Sequence, residues 1–513
     1  MDNYIKKRDT DVRMQTVMSD RVVGTELTSD FSLPDYQPEI KRLLRVRATL
    51  SPPDCYVGAG QVELSGEVNY SMLYVGGDGA LYDVNQSDEY RFTTPIEMSS
   101  EIDVGEGVLC DVDTVADATS GRVLAPRKVS IRCRLRSRVR VLGEGRPETK
   151  IQGAPEESLE RLCGRVEVGR SFVGVSETVQ LGDEILCDAE AGDLRVIDAE
   201  GTVFISEATA GSGAVSCRGE VLLRLLTCRE GGDALPTVQQ RRIPFQESVE
   251  VDGAEVNCQA TVSGVCKDIS VTVEEGRILC DVGVKLTARA QRNETLELIR
   301  DLYSTAAEGE VKRREYRTPR ALRCINGNVS VGSTMPLSEV GIRSGAELVD
   351  LSLIPTVVSV QSENGKTVLT GRARCQAILC EGGEYSTQEL ELPIRYELEG
   401  SEQILDYDAA LGVISCRGRI DGERIGVDAE LSVALCLRGE THFSMLCEAN
   451  FDTPVRQKGA VYTVCYPSRE DTLWSVGKQY HRSVNALSRM NALANAPAAD
   501  SPDSLAGVKY LLV

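Results

Sequence analysis

One pattern occurs three times in this chain, at a spacing too long for a solenoid repeat and suited to whole domains. It opens after a glycine, in Gly66 to Tyr74, Gly219 to Thr227 and Gly371 to Leu379, and the glycines lie 153 and 152 residues apart. A proline-led segment follows each time, at Pro95, Pro244 and Pro393. Each unit then closes on a stretch introduced by Arg122, Arg277 or Arg424. Apolar residues stand seven and nine positions after each arginine: Val129 and Ile131, Val284 and Leu286, Leu431 and Val433. A period of two kept in register across three units predicts strands with one buried face. Glycine-rich turns such as 76–79 and 382–383 separate them, as hairpin connections do.

The fold class that follows is mainly β: three tandem β-sandwich-like domains over 21–145, 160–293 and 318–442, after an N-terminal tail of residues 1–20. Between the units, 155–162 and 294–303 have helix-like spacing and are expected to be short helical or extended connectors. A further helix candidate covers 33–44, where Pro38 and Glu39 suit a first helical turn.

After Pro454 the texture changes. A short strand at 461–464 is followed by Asp471, placed to cap a helix in which Leu473, Val476, Gly477 and Tyr480 share a face. Ser483 can cap a second helix with Val484 and Leu487 inward, and 510–513 reads as a last strand. The expectation is a small α/β module of β-α-α-β order over 460–513.

Charge narrows the function. Lys and Arg number 57 against 78 Asp and Glu, a net charge of −21. So acidic a chain is repelled by nucleic acid and by anionic lipid, and suits a protein partner with a basic face. No apolar run approaches the ~18 residues that cross a bilayer, and the first twenty residues hold no apolar export segment. These features predict a cytoplasmic chain without direct membrane insertion. The seventeen cysteines sit mostly in apolar runs, with no C-x-x-C spacing. They are read as buried, reduced thiols rather than disulfides or metal ligands.

No catalytic constellation is legible, so no enzyme activity and no cofactor are expected. Gly365, Lys366 and Thr367 look like the end of a phosphate loop, but Val360 stands where its first glycine belongs. The strongest electrostatic feature is Arg132, Arg134, Arg136, Arg138 and Arg140, which at period two leave one face of one strand. That face is either solvated and neutralised by neighbouring carboxylates, or a docking stripe for an acidic partner or for another copy of this chain.

Tyr462 to Val464, Asp471 to Val476, Ser483 to Leu487, Asn491, Leu493 and Gly507 resemble a LysM domain. That family binds N-acetylglucosamine polymers, peptidoglycan above all. Both groove loops depart from its pattern: the first is longer and has Glu470 in place of a glycine, and the second is stretched over 494–504. The resemblance thus implies a LysM scaffold with remodelled glycan-facing loops. Three repeats ahead of such a module resemble the SipL-type spore-coat proteins with tandem SPOCS domains. The segment 33–44, the three glycine-led strands and Asp301 to Thr305 carry that likeness.

The family likeness implies a morphogenetic adaptor in the mother-cell cytosol at the forespore outer membrane and coat. Its LysM domain would bind the coat-basement ATPase SpoIVA, with other coat proteins as further partners. The candidate partner-binding residues are Val464, Glu470, Asp471, Leu473 and Trp474, the last being the sole tryptophan. The alternative is a protein that binds peptidoglycan or N-acetylglucosamine.

Overall fold

The computed structural model describes residues 13–58, 60–95, 108–145, 147, 149–186, 194–229, 235–274, 276–400, 402–455, 463–468, 470–491, 505 and 508–513. Strands dominate it, because the period-two pattern runs through nearly every segment. In one strand Ile131, Cys133, Leu135, Ser137 and Val139 are buried while Arg132 and Arg134 are exposed.

The first unit comprises β1 (Met14–Ser32), β2 (Ile40–Leu50), β3 (Asp54–Gly58), β4 (Gln61–Gly76), β5 (Leu81–Pro95), β6 (Leu109–Ala125) and β7 (Lys128–Gly145). After the short β8 (Lys150–Gln152), the second has β9 (Leu159–Val175), β10 (Val179–Leu186), β11 (Leu194–Ala210), β12 (Ala214–Arg229), β13 (Thr237–Glu250), β14 (Gln259–Glu274) and β15 (Arg277–Ser304). The third has β16 (Ala307–Pro336), β17 (Glu347–Glu363), β18 (Lys366–Glu381), β19 (Glu384–Glu399), β20 (Asp406–Asp421) and β21 (Arg424–Pro454).

The sheet plan is the same in all three. One antiparallel sheet places β7 between β1 and β6, β15 between β9–β10 and β14, and β21 between β16 and β20. The other places β4 between β2–β3 and β5, β12 between β11 and β13, and β18 between β17 and β19. Both sheets of a unit contribute to one apolar core: Val68, Tyr70 and Met72 with Ile131 and Leu135, for example. The glycine that leads each repeated motif is a close-approach position. A Cβ on Gly66 would stand 2.5 Å from the Tyr90 hydroxyl, one on Gly219 2.5 Å from the Phe204 carbonyl, and one on Gly371 2.6 Å from that of Thr356.

The units close on one another. β6, β14 and β20 each carry a bulge, at Asp117, Lys267 and Ile414, whose extra residue leaves the ladder. Asn69 of unit one donates to the Lys267 carbonyl of unit two (2.6 Å), Arg242 of unit two to that of Ile414 in unit three (3.0 Å), and Arg374 of unit three to that of Asp117 in unit one (3.1 Å). One contact, passed from unit to unit and back to the first, makes the trunk a ring with pseudo-threefold character.

Equivalent positions meet inside the ring. Leu44, Ile197 and Val349 share an apolar cluster with Leu73, Leu226 and Ile378, each trio offset by the same 153 and 152 residues as the glycines. One residue further on, the trio is Arg45, Asp198 and Asp350. Arg45 bridges both aspartates at 2.6 Å, Arg47 pairs with Asp198 at 2.5 Å and Glu200 at 3.2 Å, and Arg224 reaches Asp350 at 2.7 Å. Burial opposes ionisation of Asp198 and Asp350, but the facing guanidinium groups hold both below the ordinary carboxylate range.

A second charged cluster joins the other sheets. Arg140 of unit one, Arg289 of unit two and Arg438 of unit three converge on Asp111, Asp406 and Asp408. The proposed arginine stripe is thereby corrected at two of its five residues. Arg132 and Arg134 face outward and Arg136 pairs with Asp117 at 2.9 Å, whereas Arg138 bridges Asp20 and Asp406 and Arg140 is 3% exposed. As the strand runs inward its charged face becomes a joint between units, so Arg138 and Arg140 do not form an outer docking surface.

Two further expectations are corrected, and the connectors are decided between their two alternatives. Residues 33–44 are not helical: a turn over 35–37 leads into β2, and the Leu33 and Ile40 amides donate to Arg127 and Pro126 in the β6–β7 turn. The connectors take the extended alternative, apart from a single 3-10 turn at Glu156–Ser158. Cross-strand pairing overrides their helical spacing, because 294–304 forms the end of β15 against β9. Nor are all cysteines free: Cys55 bonds Cys110 and Cys324 bonds Cys436, so cysteine usage no longer argues for a reducing compartment. Buried thiols elsewhere fit the expectation, with burial pushing Cys266 and Cys375 up to about 12.

Candidate functional site

β15, β16 and β21, at 28, 30 and 31 residues, are much longer than their counterparts in unit one. Their excess forms two ribbons, β9 with the end of β15 and the start of β16 with the end of β21. Ile299, Leu302, Leu446, Ala449 and Phe451 pack between the ribbons, and Leu298 against Met445. The turn from β15 to β16 at the end of the ribbons carries the C-terminal module.

That module has β22 (Val464–Cys465), α1 (Leu473–Tyr480), α2 (Val484–Met490) and β23 (Leu511–Leu512), with β22 antiparallel to β23. Its core is Cys465, Leu473, Val476, Leu487, Leu505, Leu511 and Val513. The cap of α1 is one residue later than expected. Thr472 accepts from the Ser475 amide at 3.0 Å and the Ser475 hydroxyl accepts from the Thr472 amide, a reciprocal capping box. Asp471 instead ties down its own loop by accepting from the Ser468 amide at 2.6 Å. Ser483 caps α2 as expected. Leu493, Gly507 and the loop 494–504 lie outside the described residues.

The predicted site residues divide by direction. Leu473 is buried in the module core, while Val464 and Glu470 are exposed. Trp474 faces the trunk. Its indole N–H donates to Asp301 at 2.9 Å and its ring meets Tyr303 edge-on at 4.8 Å between centroids.

The same carboxylate accepts from Lys478 at 2.7 and 2.8 Å and from Arg313 of the other ribbon at 2.8 Å. Burial works against ionisation of Asp301, but hydrogen bonds from Lys478 and Trp474 outweigh it and hold its pKa below the usual range. Around this centre the Tyr303 hydroxyl donates to the Arg482 carbonyl at 2.8 Å, and His481 Nδ1 lies 2.9 Å from the Ser304 carbonyl. His481 sits in the left-handed region (φ 52°), the turn that ends α1 and lays its ring on the ribbon. Gly477 is needed for the fit, since a Cβ there would stand 2.5 Å from the Tyr303 hydroxyl.

The residue pattern of the module does not by itself mark Asp301, Tyr303, Lys478 or His481. The signal available was the segment Asp301 to Thr305, singled out for its family likeness, which turns out to be the platform under the module. Val464 of β22, Tyr466 just after it and Tyr510 just before β23 are exposed by 48, 78 and 59%. Among the described residues no group of three or more His, Cys, Asp or Glu could hold a metal ion, and no helix is long and apolar enough to cross a membrane.

Residues 194–274, from β11 through β14 of the middle unit, match the family described as SipL, SPOCS domain. No curated protein and no solved structure matches the chain.

Proposed function

We propose that this chain is a non-enzymatic structural adaptor of endospore coat assembly. The ring of three units, each read as a SPOCS-type domain, is its rigid body, and the C-terminal module, read as a LysM fold, is its binding head. The observation that carries the reading is the family match over β11–β14 together with the identical sheet plan of the units on either side. The partner is a SpoIVA-like coat ATPase, and the chain acts in the mother cell at the forespore surface.

The docked module bears on how that head works. With Trp474 turned to the ribbons, the partner meets the side that stays open: Val464, Tyr466 and the loop to Glu470. Exposed aromatic and apolar side chains on a rigid base are what a protein interface favours, because little side-chain entropy remains to be lost.

The test is capture of the coat ATPase from sporulating cells by the full chain and by Val464→Asp and Tyr466→Ala variants. The adaptor reading expects the native chain to retrieve the ATPase, and each variant to lose about tenfold or more in affinity, as for a buried anchor. Failure of the native chain to bind the ATPase, with saturable binding of N-acetylglucosamine oligomers in its place, would restore the glycan-binding reading.

A further inference from the structure

In units two and three one unbroken strand lies along the central strand of the second sheet: β11 on β12 and β17 on β18, each 17 residues long. In unit one that place is taken by two pieces, β2 with 11 residues and β3 with five. Pro52 and Pro53 stand between them, and proline has no N–H to give a ladder. The detached piece is weakly held. Its register on β4 runs only from Asp54 opposite Ser65 to Gly58 opposite Gln61. None of its five residues is buried, and Tyr56 is 71% exposed, so burial adds little to the ladder.

We propose that the Cys55–Cys110 disulfide is a reducible clamp on β3: closed, it keeps β3 over the edge of β4, and thiol exchange releases it. The bond ties β3 of one sheet to β6 of the other, between cysteines 55 positions apart, in the unit whose flanking strand is broken. Neither cysteine is fully buried. The second disulfide cannot act in this way. Cys324 and Cys436 face each other within the β16–β21 ladder, which continues on both sides of them, so opening that bond leaves the strands paired. Cys436 is 1% exposed, and unit two lies over the pair. The Thr261 hydroxyl is 3.3 Å from the Cys436 sulfur, and the Gln259 side chain accepts from the Cys324 amide at 2.8 Å.

The chemistry is thiol–disulfide exchange with a small thiol such as glutathione. Its thiolate attacks one sulfur and displaces the other cysteine, leaving a mixed disulfide that a second glutathione resolves. Two thiols thus become glutathione disulfide, and Cys55 and Cys110 take up the two protons. Val62 and Leu64 of β4, wholly buried, then lose the cover of Cys55 and Val57. The backbone of 61–65 is left as an open sheet edge, a template for pairing with another strand. A thiol-rich compartment keeps that edge open and an oxidising one seals it. The clamp is independent of the module and of the partner proposed for it.

The experiment is hydrogen exchange of the full chain, read by mass spectrometry in glutathione buffers of rising reduced fraction, with both disulfides assayed alongside. Cys55–Cys110 is expected to open ahead of Cys324–Cys436. Exchange at 54–65 then quickens about tenfold or more, as loss of a cross-link on a weakly held strand gives, while β11 and β17 keep their protection. Returning to oxidised glutathione reverses the change. Cys110→Ser, which leaves β3 itself unaltered, shows the fast exchange with no reductant. Unchanged exchange at 54–65 once the bond is open overturns the proposal, as does loosening of all three units together or earlier opening of Cys324–Cys436. So does finding Cys55 and Cys110 as free thiols in the folded chain under oxidised glutathione.

Discussion

The ring and the module joint solve the same problem, holding separately folded parts together, in opposite ways. In the ring, charge is buried and shared: Arg45 serves two aspartates from two other units, and a second cluster takes an arginine from each unit. At the joint one carboxylate, Asp301, collects Trp474, Lys478 and Arg313 beside an aromatic pair, with partly exposed cations. Removing one partner of a buried ion pair strands the other charge, whereas a half-exposed joint is rescued by water. The ring is therefore a permanent assembly and the module a separable one.

The largest effect is expected in the ring. Arg45→Ala leaves Asp198 and Asp350 without their shared cation and should cost about 3–5 kcal/mol of trunk stability. Denaturant melting followed by far-UV circular dichroism measures it. A loss under 1 kcal/mol would mean that this buried layer does little to hold the units together.

Next comes the joint. Asp301→Asn should undock the module, red-shift Trp474 emission and raise its quenching by acrylamide severalfold, while the trunk's melting midpoint stays put. Unchanged Trp474 accessibility would mean that the aromatic contact with Tyr303 suffices alone. Deleting 456–513 is expected to leave the trunk folded and β-rich, by the same argument.

Acidity separates the two regions further. Half-buried Asp83, beside the first charged layer, has its pKa pushed up to about 7 by burial and by the neighbouring Asp198. Since the unperturbed value is 3.8, the folded state holds this proton more tightly than the unfolded chain, and stability is lost as pH rises between the two. Asp83→Asn cannot ionise, so its melting temperature should gain on the native protein from pH 5 to about 7 and then level off. A gap that is constant with pH contradicts the assignment.

The smallest effect concerns the cysteines. Thiol titration of the denatured, unreduced protein should leave four of the seventeen unreactive, those of the two disulfides. Reaction of all seventeen would return the chain to the fully reduced state its composition suggests.

The strands were legible because burial imposes a period of two whatever the fold. The three units were legible because glycines at close-approach positions recur. Ring closure was not, and Arg45, Asp198 and Asp350 show why. Like positions that meet one another must carry unlike charges, so a search for identity among repeats passes over the residues that join them. The helix expected at 33–44 failed for a related reason: its spacing was helical, but two of its backbone amides are bonded to a turn about ninety residues away in sequence. In the module, capping residues and apolar spacing revealed the helices. They could not reveal that Trp474 faces a carboxylate far upstream in the chain.

The division between a permanent ring and a separable module is tested most directly by one denaturant titration read with two probes. Trp474, the only tryptophan, reports the joint, and far-UV circular dichroism reports the strands of all three units. The expected result is an early Trp474 transition, abolished or moved earlier by Asp301→Asn, followed by a single cooperative loss of strand signal. Coincident transitions, or a trunk that melts unit by unit, would contradict it.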